Sequence, residues 1–192
     1  LNNRFSIRYY FNERCKNSKD IKHPTVRNLV NLYKIKSLEL IYYSDLVARS
    51  GIGSSSAFTV GLLKAINEFK KLKIKKYDLA MKSIDVEQNL NQEFVGSQDQ
   101  FACSYGGFNS ISFSKEKIKV YNLNKFKKNI DLIDKSTLLI YTKKNRNSAV
   151  PSKKLITRIQ NGKNVYNLNK IKEFADTGEK IIKSKNFDNK IF

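Results

Sequence analysis

Residues 50–57, Ser-Gly-Ile-Gly-Ser-Ser-Ser-Ala, constrain the fold of this chain more than any other stretch. They stand between an alternating apolar run at residues 38–43, which is typical of a strand, and a helix-like run at residues 57–69. Glycine lets the backbone turn sharply, and serine is a good helix N-cap. Because the first N–H groups of a helix have no partner within it and lie at its positive end, the stretch predicts a loop that binds an anion, best of all phosphate.

The predicted loop differs from the Walker P-loop, because no Lys-Ser or Lys-Thr pair follows its second glycine. It therefore predicts a phosphate site of another kind. Many Gly-Ser loops are plain turns or caps, and on the loop alone that alternative stays open.

The helix predicted at residues 77–90 carries a carboxylate, Glu87, on its apolar face. Ala80 and Ile84 define this face, and Glu87 follows Ile84 by three residues. A carboxylate in apolar surroundings is costly unless it is paired or bound to a metal. The alternative is that Glu87 lies at the edge of the apolar stripe and reaches water.

Residues 93–109 form the second dense stretch, Glu-Phe-Val-Gly-Ser-Gln-Asp-Gln-Phe-Ala-Cys-Ser-Tyr-Gly-Gly-Phe-Asn. Ser97 can cap a short helix that contains Asp99, and the glycine pair Gly106-Gly107 ends it. Asp99 is then either a functional carboxylate or an acid that only stabilises the first turn of its helix.

The other segments alternate between strand and helix patterns. Apolar residues alternate from Phe5 to Phe11 and predict a strand, residues 12–25 read as a loop, and residues 26–33 predict a helix. Residues 111–123 predict a hairpin, residues 137–141 a further strand, and the chain after Pro151 is helical. This order predicts an α+β fold: a two-layer domain with a mixed sheet packed on helices at 1–150, then the start of a helical or α+β domain at 151–192.

Composition excludes several classes of function. The net charge of +20 comes from 37 basic residues, of which only seven are Arg, spread along all 192 residues, so nucleic-acid binding is not expected as the main function. One histidine, His23, and two cysteines are too few for a usual zinc site or for an evident Ser-His-Asp triad. No apolar run is long enough to span a bilayer and no signal peptide is visible, so we expect a cytoplasmic protein with no membrane partner.

The glycine loop and the Asp99 stretch together resemble the GHMP small-molecule kinases. That family's phosphate loop reads Pro-x-x-x-Gly-Leu-Gly-Ser-Ser; here Ile52 replaces the leucine, and Val47 stands at the proline position. The stretch from Glu87 through residues 96–100 and 105–109 is similar to the branch that phosphorylates D-glycero-D-manno-heptose 7-phosphate, as is Tyr141-Thr142 followed by Arg146. The resemblance covers roughly residues 38–160.

The resemblance implies ATP-dependent phosphoryl transfer to a sugar hydroxyl, above all C1 of D-glycero-D-manno-heptose 7-phosphate, for activated-heptose and surface-polysaccharide synthesis. The implied ATP-binding residues are Gly51, Ile52, Gly53, Ser54, Ser55 and Ser56. Ser55 and Glu87 would bind Mg²⁺, with Ser54 or Ser56 as alternatives to Ser55. Asp99, which follows Glu87 by 12 residues, would act as base or orienting group at the acceptor hydroxyl, and Arg146, Gly106 and Gly107 would contact the sugar phosphate.

Two other functions remain open at this stage. One is another sugar kinase of the family, of galactose or fucose type. The other is a non-catalytic nucleotide-binding fragment, because the family's N-terminal motif and C-terminal glycine-rich loop have no counterpart here, so the chain is expected to be incomplete at both ends. A homodimer is also left open.

Overall fold

The structure is a computed structural model that describes residues 4–45, 51–114, 116–143 and 149–185, together with Phe187. The chain forms two compact units. The first contains the described residues through Ser104 and also Lys143, and the second contains Tyr105–Thr142 and the described residues from 149 onward. The domain boundary at residue 150 stays a prediction.

The first unit contains a three-stranded mixed sheet. Its strands are β1 (Phe5–Arg8), β2 (Asn12–Cys15) and β3 (Leu38–Ile41), in the spatial order β2-β1-β3. β1 pairs antiparallel with β2 and parallel with β3. A parallel neighbour requires a crossover connection, and helix α1 (Pro24–Leu32) lies in the connection between β2 and β3.

Strand β2 was not predicted, since residues 12–25 read as a loop. The reason is its inward-facing residue: Glu13 is buried, whereas a half-buried strand usually shows an apolar residue at that position. A tight turn at residues 9–11, in which the Tyr9 N–H donates to the Phe11 carbonyl at 2.9 Å, brings β2 back against β1.

The described part of the first unit also contains a short 3₁₀ turn at Ser18–Asp20, between β2 and α1. Three further helices and one irregular helical turn follow β3. They are α2 (Ser54–Phe69), α3 (Lys76–Asp85), a π-helical turn (Val86–Leu90) that continues α3, and α4 (Gln98–Tyr105). The helices predicted at residues 26–33, 57–69 and 77–90, and the short helix around Asp99, are confirmed. The π-helical turn is a difference from the prediction, and such turns occur often at functional sites.

The core of the first unit lies between the sheet and its helices. It consists of buried aliphatic and aromatic side chains from β1, the loop before α1, and helices α1 to α3 with the turn that follows: Phe5, Ile7, Ile21, Val26, Leu29, Val30, Val60, Leu62, Leu63, Ile66, Leu79 and Val86. This core fixes the start of α2, and with it the glycine loop, against the rest of the unit.

The second unit combines a hairpin with three helices. Its elements are β4 (Asn109–Phe113), β5 (Ile118–Asn122), a 3₁₀ turn (Asn124–Phe126), α5 (Lys127–Ser136), α6 (Ala149–Gln160) and α7 (Val165–Lys183). The predicted hairpin and the helices after residue 150 are confirmed, while α5 was not predicted.

The strand predicted at residues 137–141 is wrong. These residues have no regular secondary structure, and Leu138, Leu139 and Ile140 are exposed. A short apolar run becomes a strand only where a neighbouring strand supplies hydrogen bonds. The described residues give it no such neighbour.

The α+β class is confirmed by the mixed sheet and its packed helices. Within the described ranges, no helix has both the length and the apolar character needed to cross a bilayer.

Replacing Gly61 with alanine is expected to raise the free energy of unfolding by about 1 kcal/mol, because Gly61 lies in the middle of α2 and an added Cβ would meet nothing within 4 Å. The midpoint of thermal or urea unfolding measures the gain. Gly96→Ala is the control, since Gly96 lies outside any helix and its added Cβ also meets nothing. Equal effects of the two substitutions would contradict the helix-propensity explanation.

Candidate functional site

The glycine loop leads directly into helix α2. Gly51 and Gly53 have φ angles of 84° and 73°, in the left-handed region that favours glycine. Gly53 is the N-cap of α2, and no side chain caps the helix. The helix therefore begins at Ser54, three residues earlier than predicted, and the expected serine N-cap is wrong: the serines form the first turn of the helix.

The first turn of α2 presents backbone N–H groups to the loop. The Ala57 N–H donates to the Gly53 carbonyl at 3.0 Å and begins the helical hydrogen-bond ladder. The N–H groups of Ser54, Ser55 and Ser56 precede that bond and have no acceptor within the helix. Together with the positive end of the helix dipole, they make this turn suitable for an anion.

Ser56, Glu87 and Gln100 form a buried polar cluster behind this turn. The Ser56 hydroxyl donates to Glu87 Oε2 at 2.9 Å. Gln100 Nε2 donates to the same carboxylate oxygen and, at 3.2 Å, to Ser56 Oγ. The cluster therefore joins the glycine-loop helix α2, the π-helical turn and helix α4.

Glu87 is fully buried, with 0% of its surface exposed. The sequence left open whether the Glu87 carboxylate is buried or reaches water, and in the structure it is buried. The second oxygen, Glu87 Oε1, has no hydrogen-bond partner in the described part of the chain, and neither does Oε1 of Gln100. A buried unsatisfied acceptor is unfavourable by about 1–3 kcal/mol, so these two oxygens indicate that a cation or a hydrogen-bond donor completes the cluster.

The residues present fit a Mg²⁺ ion bound together with a phosphate ligand. Mg²⁺ takes oxygen ligands and usually uses one or two protein oxygens, with the rest from phosphate and water. Glu87 and Ser56 supply a carboxylate and a hydroxyl beside the anion-binding turn. The described residues contain no group of three or more His, Cys, Asp or Glu side chains arranged for a metal.

Negative charge concentrates around this cluster. Burial and the charge of Glu87 together raise the pKa of Glu93, whose backbone N–H donates to the Glu87 carbonyl at 2.9 Å. Burial raises the pKa of Cys103 on α4, and the charges of Asp99 and Glu87 raise it further. The three carboxylates thus produce a field that favours a cation close to the loop.

The Asp99 carboxylate lies against the glycine loop. A Cβ built on Gly53 would come within 3.1 Å of Asp99 Oδ2 and 3.2 Å of its Cγ. Asp99 itself is exposed and sits in the first turn of α4. The absence of a side chain at Gly53 therefore leaves room for Asp99 beside the glycine loop.

A pocket of about 600 Å³ opens next to Ser54 and Ser55. Most of its other lining residues are aromatic or lie at the start of α1: Tyr9, Tyr10, Lys22, His23, Pro24, Thr25, Tyr42, Tyr43, Ser44, Phe58 and Glu93. The His23 ring stacks at a tilt on Phe58, with 4.8 Å between ring centroids, and meets Tyr9 edge to face at 5.2 Å.

Glu13 organises one wall of this pocket, and sequence reasoning missed it. Its carboxylate accepts hydrogen bonds from the Tyr9 hydroxyl at 2.6 Å and from the backbone N–H groups of Lys22 and His23 at 2.5 and 3.2 Å. The signal in the sequence was weak: an acid that follows an aromatic-rich segment at residues 5–11. Since β2 was not predicted, the inward direction of Glu13 could not be deduced.

Replacing His23 with phenylalanine is expected to weaken the acid sensitivity of the fold. Burial lowers the pKa of His23 below its usual 6.5, although the nearby charge of Glu13 opposes this. Between the lowered and the usual pKa the unfolded state binds more protons, so the free energy of unfolding falls as the pH drops below 6.5. Denaturant unfolding of both proteins from neutral to mildly acidic pH measures the difference; parallel pH profiles would contradict the prediction.

The remaining residues named from the sequence are Arg146, Val47, Gly106 and Gly107. Arg146 and Val47 are outside the described residues. Gly106 and Gly107 belong to the second unit and have φ angles of 63° and 73°, where a Cβ on Gly107 would collide with the Asn124 amide at 2.6 Å. Their local role is thus to shape the entry into β4, and their contact with a sugar phosphate stays a prediction.

Part of this chain is similar to known proteins. The family described as GHMP kinases N terminal domain matches residues 21–107. A D-glycero-alpha-D-manno-heptose 7-phosphate kinase from Campylobacter jejuni is 36% identical over 86 residues, which are 45% of this chain and 25% of that protein. A galactokinase from Pyrococcus furiosus is 29% identical over 110 residues, 57% of this chain and 30% of that protein.

One solved structure shares the fold. It is a D-glycero-D-manno-heptose 1-phosphate kinase from Bacteroides thetaiotaomicron, with a TM-score of 0.54 and 24% identity over 61% of this chain and 43% of that chain. The matched region spans less than a third of the length of either curated relative. The resemblance found in the sequence is confirmed: residues 21–107 match the GHMP kinases N terminal domain family.

Proposed function

We propose that this chain carries the ATP site of a sugar kinase that transfers the γ-phosphoryl group of ATP to a sugar hydroxyl. The observation that carries the proposal is the hydrogen bond between Ser56, in the first turn after the glycine loop, and the fully buried Glu87. A buried carboxylate with one free oxygen beside an anion-binding turn suits a nucleotide that arrives with a divalent cation.

The loop and the first turn of α2 would bind the phosphates of ATP. The N–H groups of Ser54, Ser55 and Ser56 donate to phosphate oxygens, and the two glycines let those oxygens approach the backbone. Phosphoryl transfer depends mainly on positioning and charge neutralisation, which fixed N–H groups at a helix end supply without reorganisation.

Glu87 and Ser56 would hold Mg²⁺ in this arrangement. When bound there, such an ion would supply neutralisation of the charge that develops on the transferred phosphate. Among the three serines of the turn, Ser56 is favoured because its hydroxyl meets Glu87, whereas Ser54 and Ser55 line the adjacent pocket.

Asp99 would act on the acceptor hydroxyl. Its carboxylate lies beside Gly53, so an acceptor that reaches the terminal phosphate also comes close to Asp99. An exposed aspartate there can orient the hydroxyl and accept its proton as the new O–P bond forms and the bond between the γ-phosphorus and the departing ADP breaks.

The aromatic pocket next to Ser54 and Ser55 is the proposed place for the adenine ring. Stacking of a base on an aromatic side chain contributes about 1–3 kcal/mol and does not require hydrogen bonds to the edges of the base. Phe58 contacts the rings of both His23 and Tyr42, and all three side chains line the pocket. Ser54 and Ser55 of the proposed phosphate-binding turn line it as well.

D-glycero-D-manno-heptose 7-phosphate is the acceptor we propose first, and the hydroxyl on its C1 would receive the phosphoryl group. ATP and Mg²⁺ are the proposed cofactors. The proposal is supported by the 36% identity with a kinase named for that substrate. A galactose-type acceptor is the second candidate, supported by the galactokinase similarity. A cytoplasmic site of action follows from these substrates and belongs to the same proposal.

Formation of ADP from Mg·ATP over a panel of sugars and sugar phosphates tests the proposal. We expect turnover with heptose 7-phosphate and little with galactose or fucose. Turnover with galactose instead would replace the first acceptor by the second. Tight, Mg²⁺-dependent ATP binding without turnover on any acceptor would identify a nucleotide-binding fragment, and an absence of ATP binding would contradict the proposal.

A further inference from the structure

We propose that Gln100 is a positioning residue that holds Ser56 and Glu87 ready for the metal. The proposal rests on the function proposed above, since it concerns the same Mg·ATP site. Gln100 is completely buried on α4, one residue after Asp99, and its carboxamide contacts both proposed metal-binding side chains.

The hydrogen bonds of the cluster fix which atoms are left for a ligand. Glu87 Oε2 accepts from Ser56 and from Gln100, so this oxygen is fully used within the protein. Glu87 Oε1 stays unpartnered among the described residues and is the oxygen available to a cation. The amide nitrogen of Gln100 must face the carboxylate, because its oxygen would repel Glu87 there.

Without Gln100, the carboxylate would lose a donor and its fixed rotamer. Ser56 would then be the single side chain bonded to Glu87 in the described part of the site. Groups that orient metal ligands typically change metal affinity by about 10–100-fold when they are removed. Gln100 follows Asp99 directly on α4. One helix therefore carries both Asp99 and the residue that holds Ser56 and Glu87.

The test separates positioning from general stability. The dissociation constant of ATP is measured by calorimetry in Mg²⁺ and in EDTA, and the ratio of the two is the metal-dependent gain in affinity. Gln100→Met keeps the size of the side chain and removes its hydrogen bonds. In this variant we expect the metal-dependent gain in ATP affinity to be smaller by about tenfold or more. The dissociation constant measured in EDTA should change by less than about twofold.

Three further variants support the interpretation. Gln98→Met makes the same change at an exposed position of the same helix and is expected to keep the full gain. In a Glu87→Gln background, Gln100→Met is expected to add no further loss, because Gln100 acts through Glu87. Gln100→Asn keeps the amide but shortens its reach, carries the same expectation, and serves if the methionine variant does not fold.

Several results would overturn the inference. An unchanged metal-dependent gain in the Gln100 variants, or an equal loss of affinity with and without Mg²⁺, would show that Gln100 only supports packing. If the parent chain binds ATP equally well in Mg²⁺ and in EDTA, the proposed function fails, and this inference fails with it. The parent and the variants therefore distinguish the two failures.

Discussion

Replacing Asp99 with asparagine is expected to reduce ADP formation with the preferred acceptor by about 10²–10⁴-fold, the usual contribution of a positioned acid–base group. Asparagine has the same shape, so the contact with Gly53 is preserved while the proton acceptor is lost. ATP affinity in Mg²⁺ should stay within a small factor of the parent value. Steady-state kinetics combined with calorimetric ATP binding measures both quantities.

Asp78→Asn is the matched control for this prediction. Asp78 is also an exposed acid in the first turn of a helix, α3, and therefore interacts with a helix dipole in the same way. If Asp99 only stabilised its helix, the two variants would lose similar amounts of stability and activity. A strong loss of turnover confined to Asp99→Asn supports its role at the acceptor, and equal effects contradict it.

Replacing Gly53 with alanine is expected to weaken Mg·ATP binding by about tenfold or more, because an L-residue in the left-handed region costs about 1–2 kcal/mol. Gly53 has φ of 73°, and the new Cβ would lie 3.1 Å from Asp99 Oδ2. The loop or the Asp99 side chain must then move. Turnover should therefore fall by more than ATP affinity does.

Gly51→Ala separates the effect of backbone strain from the effect of the contact with Asp99. Gly51 has φ of 84°, so alanine is strained there as well, but its Cβ would meet nothing within 4 Å. We expect Gly51→Ala to weaken ATP binding and to leave the ratio of turnover to binding nearer the parent value. If both variants change turnover and binding in the same proportion, the contact between Gly53 and Asp99 has no role in the reaction.

Much of the first unit could be predicted because its signals are local. The Gly-Ser loop, the apolar stripe of α2 and the acid on the apolar face of the following helix are all visible within a few turns of sequence. The helical spacing of Glu87 places it on the apolar face but leaves open whether it is buried, and the structure shows that it is. The identity of its partners, Ser56 and Gln100, does not follow from the spacing, since these side chains meet through packing between three separate segments.

Two of the errors, strand β2 and residues 137–141, have one physical origin, which is dependence on distant partners. β2 forms because β1 pairs with it, and its inward Glu13 is stabilised by N–H groups contributed from residues 22 and 23. Residues 137–141 have a strand-like composition but no pairing strand among the described residues, and they stay irregular. Local pattern alone does not supply such partners.

The Mg²⁺ dependence of ATP binding to the parent chain tests the central claim most directly. The claim is that the glycine loop and the buried pair Ser56–Glu87 form one nucleotide and metal site. Calorimetric titration with ATP should give clearly tighter binding in Mg²⁺ than in EDTA, and Glu87→Gln should remove most of that difference. ATP binding that is undetectable, or that is the same with and without Mg²⁺, would contradict the account.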